Sequence, residues 1–151
     1  MKDGPTRRAQ EALTSGWGVV RLQTMKTIEP SLRDDVQNLC AIDQRYRPDA
    51  YYFVVEALDV TVKRIRADQP GHGRHITARE LLEGIRNYAL DEFGPMAYTV
   101  LTEWGLRTTA DFGEIVYNMI HIGRFGKTDD DKKEDFQHVY TFEEAFLEPY
   151  Q

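Results

Sequence analysis

Cysteine is almost missing from this chain. Cys40 is the only one, so no intramolecular disulfide can form. No apolar run approaches the roughly 18 residues that a membrane-spanning helix needs. No apolar stretch follows Arg7 and Arg8, as a secretory signal would require. These absences exclude a disulfide scaffold and predict a soluble protein of the cytoplasm that does not enter a membrane.

Signatures of catalysis and cofactor binding are also missing. The sequence has no P-loop, no Rossmann glycine pattern and no Gly-x-Ser-x-Gly motif. Its four histidines form no HExxH motif, and the acidic run at 129–131 lacks the central glycine of a calcium loop. Cys40 lies on an apolar helical stripe, which favours a buried, inert thiol. We therefore predict no cofactor and no metal, and we assign no catalytic residue.

The chain has the composition of an ordinary globular protein, and its charged residues are unevenly distributed along the sequence. Hydrophobic residues make up 41% and charged residues 29% of its 151 residues, enough for one domain with its own core. The net charge is −6. Basic residues prevail in 1–26 and in 63–86, whereas acidic residues prevail in 128–151. An acidic total disfavours a nucleic-acid partner, although the basic stretch at 63–86 keeps that alternative open.

Two regions differ in their periodicity. Residues 1–30 show little pattern and are interrupted by glycine and proline, which predicts a flexible N-terminal extension. Met25 stands just before the first helix signal, so an over-long gene start is the alternative interpretation of 1–24. From 31 to 151 apolar residues recur at helical spacing. We expect a single helical domain over 31–151.

Capping signals and apolar stripes predict the helices of this domain. Helices are expected after Ser31, after Pro48, after the capping box of Thr77 and Glu80, over 95–104 and over 109–122. Two side chains, Tyr52 and Phe53, fall off the main stripe of the second helix, so one of them is expected to face a partner or the packed C-terminal segment. The residues expected to be buried on facing helices are Leu82, Ile85, Val116 and Met119.

The C-terminal third admits a winged-helix arrangement. Helices 95–104 and 109–122 are separated by a short turn, as in a helix-turn-helix, and residues 123–142 could form a wing with a short β-hairpin. The alternative is an ordinary helical hairpin. Charge opposes DNA reading, because the second helix carries Asp111 and Glu114 and no cation before Arg124.

Over about residues 45–150 the chain resembles a small bacterial protein family without an assigned activity. The segments that carry the resemblance are 48–64, 75–77, 80–86, 93–96, 104–106, 111–116 and 142–146. The resemblance implies one compact domain. It implies no substrate, partner or catalytic residue.

One loop suggests a binding site. Arg74, His75 and Arg79 surround the start of the helix capped by Thr77. A helix N-terminus offers free N–H groups and partial positive charge, which attract anions. We predict an anion-binding rim at these three residues. The alternative is a solvated loop that is polar because it is exposed.

The sequence therefore leaves three classes of function open. The leading one is a non-catalytic domain that binds another protein, because no convergent set of catalytic side chains is visible. The second is a winged-helix-like nucleic-acid-binding protein that uses the basic stretch 63–86. The third is an anion-binding or phosphate-binding protein, or an enzyme, that uses the loop 72–79.

Overall fold

Five α-helices form the body of the protein in a computed structural model that describes residues 16–17, 20–21, 30–70 and 75–151. Their bounds are α1 Pro30–Ile42, α2 Pro48–Asp68, α3 Ala78–Phe93, α4 Ala97–Glu103 and α5 Thr109–His121. The predicted mainly helical fold is confirmed. Most of the predicted extension 1–30 lies outside the described residues. Within it, strands β1 (Gly16–Trp17) and β2 (Val20–Arg21) pair antiparallel.

Side-chain caps fix where two of the helices begin. Thr77 Oγ1 accepts from the backbone N–H of Glu80, and the Glu80 carboxylate accepts from the N–H of Thr77. Before α5, the Asp111 carboxylate accepts from the backbone N–H groups of Arg107 and Thr108. These side-chain bonds satisfy N–H groups at the start of each helix. The boundaries that the sequence predicted for α3 and α5 therefore have a local cause.

The core lies where α2, α3 and α5 meet. Leu82, Ile85 and Met119 are fully buried and Val116 is 7% exposed, as the stripes predicted. The backbones of α2 and α3 come close because a glycine faces a threonine. A Cβ at Gly84 would overlap Thr61 Oγ1, which is buried and donates to the carbonyl of Ala57.

Aromatic rings fill the end of the core next to α4. Phe53 lies 5.5–5.8 Å, between ring centroids, from Tyr88, Phe93 and Trp104. Phe53 is fully buried and Tyr52 is 6% exposed. Neither side chain is exposed, so the alternative in which one of them faces a partner is wrong. A single apolar stripe predicts only one buried side of α2, whereas neighbouring elements cover this helix on more than one side.

The predicted C-terminal hairpin is absent from the described segment 123–151. Residues Lys133–Phe136 form a 3-10 turn, Glu143–Leu147 a π-helical turn and Glu148–Tyr150 another 3-10 turn. The backbone turns at His138, whose φ is 55°. A positive φ at a residue with a side chain breaks an extended strand. Only one isolated bridge forms there, between Thr108 and Thr141.

The absent hairpin also removes the predicted wing. In α5, the helix that would read DNA, no residue between Thr109 and Ile120 is exposed, because this helix lies in the centre of the fold. A recognition helix needs an exposed face to enter a groove of DNA. Helix α5 is thus a core element. None of the described helices has the length and apolar character needed to cross a bilayer.

Candidate functional site

The predicted anion rim is only partly brought together. Arg74 lies outside the described residues. The Nε2 atom of His75 lies 3.2 Å from Oδ1 of the Asp131 carboxylate. Arg79 is exposed on the first turn of α3. The cap at Thr77 already occupies the N–H of Glu80. The two described members of the rim therefore share the start of α3, but one of them pairs with an acid.

Acidic residues surround this rim. A shallow depression of about 640 Å³ is lined by His75, Arg79 and the carboxylates of Asp130, Asp131 and Asp135. An anion here would meet three negative side chains from the loop that follows α5. The sequence contained the acidic run, but no local pattern placed it next to residues 50 positions earlier. The anion rim stays a prediction, with electrostatics that oppose it.

An apolar groove lies on the other side of the His75–Asp131 pair. This cavity of about 270 Å³ lies between α2, the start of α3 and the end of α5. Its apolar lining includes Leu58, Val62, Leu81, Val116, Ile120 and Phe125. Three helices fixed by the core thus hold the walls. No pattern in the sequence predicted this site, because its residues come from three distant segments.

The rim of the apolar groove carries charges of both signs. Arg124 is held by α1, since its Nε lies 2.8 Å from Asp35 Oδ2. Lys127 and Lys132 line the groove, and the Nζ of Lys127 reaches only a backbone oxygen, that of Thr128, at 3.4 Å. Within the described part of the chain, neither lysine pairs with a carboxylate. Asp135 also lines the groove, and its Oδ2 accepts from the backbone N–H of Lys132.

One hydroxyl in the groove wall has no hydrogen-bond partner among the described residues. The oxygen of Tyr117 is covered from solvent and forms no hydrogen bond in the part of the chain that the structure describes. Burial raises the pKa of this phenol, and the nearby carboxylates of Asp131, Asp135 and Glu134 raise it further. Tyr117 therefore stays protonated near neutral pH. A buried donor without an acceptor costs about 1–3 kcal/mol, so it needs a structural or functional reason.

The opposite face of α5 carries a fully connected polar network. Asn118 Nδ2 donates to Tyr51 Oη at 2.9 Å and to Asp43 Oδ2 at 3.2 Å. Arg45 bridges Asp43 and Glu114, at 2.7 and 3.1 Å. The Arg45 guanidinium holds the pKa of the Asp43 carboxyl well below its usual range. This network joins the α1–α2 turn to α5.

The other reactive groups of the described residues offer no competing site. Cys40 donates its thiol hydrogen towards the carbonyl of Tyr46 at 3.7 Å, and burial raises the pKa of the thiol. A raised pKa keeps a thiol protonated and poorly nucleophilic. Over the described ranges, no three His, Cys, Asp or Glu side chains come together to hold a metal.

A second depression, of about 520 Å³, lies beside His138 and is bordered by caps. Thr109 Oγ1 accepts from the N–H of Val139, and Thr141 pairs with Glu144 in a capping box. These side chains are used in holding the tail against α5. The apolar groove is therefore the better candidate site.

Comparisons with known proteins add no relative. Protein-family models, curated proteins and solved structures give no match for this chain. The resemblance to a small bacterial family stays a prediction.

Proposed function

We propose that this chain is a non-catalytic protein-binding domain and that the apolar groove receives side chains of its partner. The observation that carries the proposal is the shape of the groove. Its volume of about 270 Å³ lies just below the range of about 300–1,000 Å³ typical of small-molecule and cofactor sites. An apolar pocket of this size, set in a charged rim, is suited to anchor side chains of another protein.

Rigidity of the walls supports the same function. The groove is lined by α2, α3 and α5, whose opposite faces form the buried core. Leu58, Val62 and Ile120 are only partly buried, so their apolar surface is not used up by the fold. Binding to a preformed pocket costs little ordering of the receptor. An adaptor needs such a surface and needs no reactive group in it.

The test is a selection of short random peptides, displayed on phage, against the full chain. Wild-type protein is compared with Val62→Gln in the groove and with Val100→Gln on α4. Both valines are half-buried, but only Val62 lines the groove. The proposal expects enriched peptides that bind wild type and Val100→Gln equally. Val62→Gln should weaken them about tenfold or more, as loss of an anchor contact does.

Thermal melts of the two variants make the comparison fair. Peptides that bind Val62→Gln as well as wild type, while both variants melt alike, would remove the groove from the function. A chain that selects no peptide but is retained on heparin at low salt would favour the nucleic-acid alternative, which uses the basic stretch 63–86.

A further inference from the structure

The hydroxyl of Tyr117 is the one feature of the groove wall that the described contacts leave unexplained. Its oxygen is covered from solvent and has no acceptor among the described residues, although the side chain as a whole is only partly buried. A phenylalanine would fill the same space without the cost of a desolvated donor. A polar group that costs stability in this way is expected at a functional site, where a bound molecule supplies the missing partner.

The position of Tyr117 allows an occupant of the groove to supply that partner. Its neighbours on α5, Val116 and Ile120, also line the cavity. The cavity of about 270 Å³ beside the ring leaves it room to turn. Because the hydroxyl makes no hydrogen bond within the described residues, such a turn breaks none. The donor can therefore reach an acceptor in the cavity without a change elsewhere in the fold.

The charges of the lining do not favour an occupant of either sign. Arg124 is paired with Asp35. Apart from Arg124 and His75, the charged side chains of the lining are Lys127, Lys132, Asp131 and Asp135. These two cations and two carboxylates cancel while His75 is uncharged. The groove thus combines apolar walls with a balanced rim, which suits an uncharged occupant.

The surroundings of the phenol disfavour an anionic acceptor in particular. The carboxylates of Asp131, Asp135 and Glu134 raise the pKa of Tyr117, in addition to the effect of burial. The same carboxylates would repel a negative group brought to the hydroxyl. A neutral oxygen meets no such repulsion.

From these observations we infer that Tyr117 is a specificity-determining donor of the groove, and that it donates to an uncharged main-chain carbonyl of the bound segment. The inference rests on the proposed protein-binding function and names the chemistry that the partner presents. The main chain supplies the acceptor, because aliphatic and aromatic side chains that fill an apolar cavity carry none and every residue has one carbonyl. A donor in the wall also selects against occupants that leave it unpaired.

The experiment separates binding from stability. Peptides are selected on the wild-type full chain from the same random library, and those that Val62→Gln weakens are kept as groove ligands. Fluorescence polarisation then measures their affinity for Tyr117→Phe and for the control Tyr98→Phe. Tyr98 is a partly buried tyrosine of α4 that lies outside the groove lining, and its hydroxyl is 3.5 Å from Glu143 Oε2.

The two variants should differ in binding. Tyr117→Phe should weaken the peptides about fivefold, as the loss of one neutral hydrogen bond does, and Tyr98→Phe should leave their affinity unchanged. Urea unfolding of the unbound Tyr117→Phe protein should show no matching loss of stability. A packing defect would lower stability and affinity together, so this combination identifies a donor that is used only in the complex. Added salt should not weaken binding, because the occupant is uncharged.

A backbone scan of one selected peptide locates the acceptor. Replacing a peptide bond by an alkene keeps its shape and removes its carbonyl oxygen. At one position this change should weaken binding to wild type but not to Tyr117→Phe, since the two changes remove the same hydrogen bond.

Three results would overturn the inference and leave the proposed function standing. They are equal affinity of wild type and Tyr117→Phe, enrichment of charged residues among the groove ligands, and a loss of stability in unbound Tyr117→Phe that accounts for its weaker binding. Peptides insensitive to Val62→Gln would instead remove both the proposed function and the inference.

Discussion

Tyr117 and Asn118 are neighbours on α5, yet their polar atoms meet opposite surroundings. The amide of Asn118 donates to two partners, and the network behind it connects α5 to the α1–α2 turn. The hydroxyl of Tyr117 has no partner among the described residues and lies at the groove. A satisfied network fixes a fold, because each deletion leaves another group unpaired. An unsatisfied donor beside a cavity marks the face that the fold has not used.

The difference between core and groove should be largest for apolar side chains. Leu82 is fully buried, whereas Leu58 is a half-buried residue of the groove lining. Leu82→Ala should lower the free energy of unfolding by about 2–5 kcal/mol, through lost burial and a cavity. Leu58→Ala should cost about 1 kcal/mol, because the groove already leaves part of that side chain in water. Urea unfolding of both variants measures the two losses.

Equal losses at Leu58 and Leu82 would show that the groove is part of the closed core and has no free surface to offer a partner. A Leu82→Ala loss near zero would mean that the α3 stripe faces the wrong way. Either result would break the contrast between the two faces.

The capped helices could be predicted from sequence because their signals are local. Thr77 and Glu80 are three residues apart, and their reciprocal hydrogen bonds require nothing beyond that turn. The stripe containing Leu82 and Ile85 needs only the helical period. The structure places both as predicted.

The groove and the tail could not be predicted in the same way. The groove joins Val62, Ile120 and Phe125, which no period connects along the chain. Residues 136–142 alternate partly like a strand, yet Phe136 packs against Gly113 of α5 and Tyr140 Oη donates to the carbonyl of Leu82. These aromatic side chains cover two helices from irregular backbone. Tertiary contacts of this kind override a short alternating pattern.

The polar network should respond to pH with a moderate effect. Arg45 lowers the pKa of Asp43, so the ionised carboxylate is favoured by folding. Its contribution is fully present above the usual Asp pKa of about 3.9 and is lost as pH falls through the lower native value. Asp43→Asn should cost about 1 kcal/mol at neutral pH. The gap to wild type should close under acid conditions, as followed by urea unfolding across a pH series.

Asp59→Asn is the matched control, because Asp59 pairs with Lys63 in a largely exposed i,i+4 contact on α2. Such a pair contributes about 0.3–0.5 kcal/mol. A gap for Asp43→Asn that stays constant with pH, or one no larger than that of Asp59→Asn, would show that the network does little to hold the α1–α2 turn.

The smallest effect is expected at Tyr117, and it tests the contrast most directly. Tyr140 Oη donates to the carbonyl of Leu82 at 2.8 Å, so Tyr140→Phe removes a hydrogen bond and should cost about 1 kcal/mol. Tyr117→Phe removes a covered hydroxyl that has no partner among the described residues, so it should lower stability by no more than about 0.5 kcal/mol and can raise it by about 1 kcal/mol, because the desolvation cost disappears. Thermal and urea unfolding of the two variants give the comparison. A loss at Tyr117 as large as that at Tyr140 would reveal an acceptor in the free protein, such as an ordered water. The groove side of α5 would then be as fully satisfied as the Asn118 side.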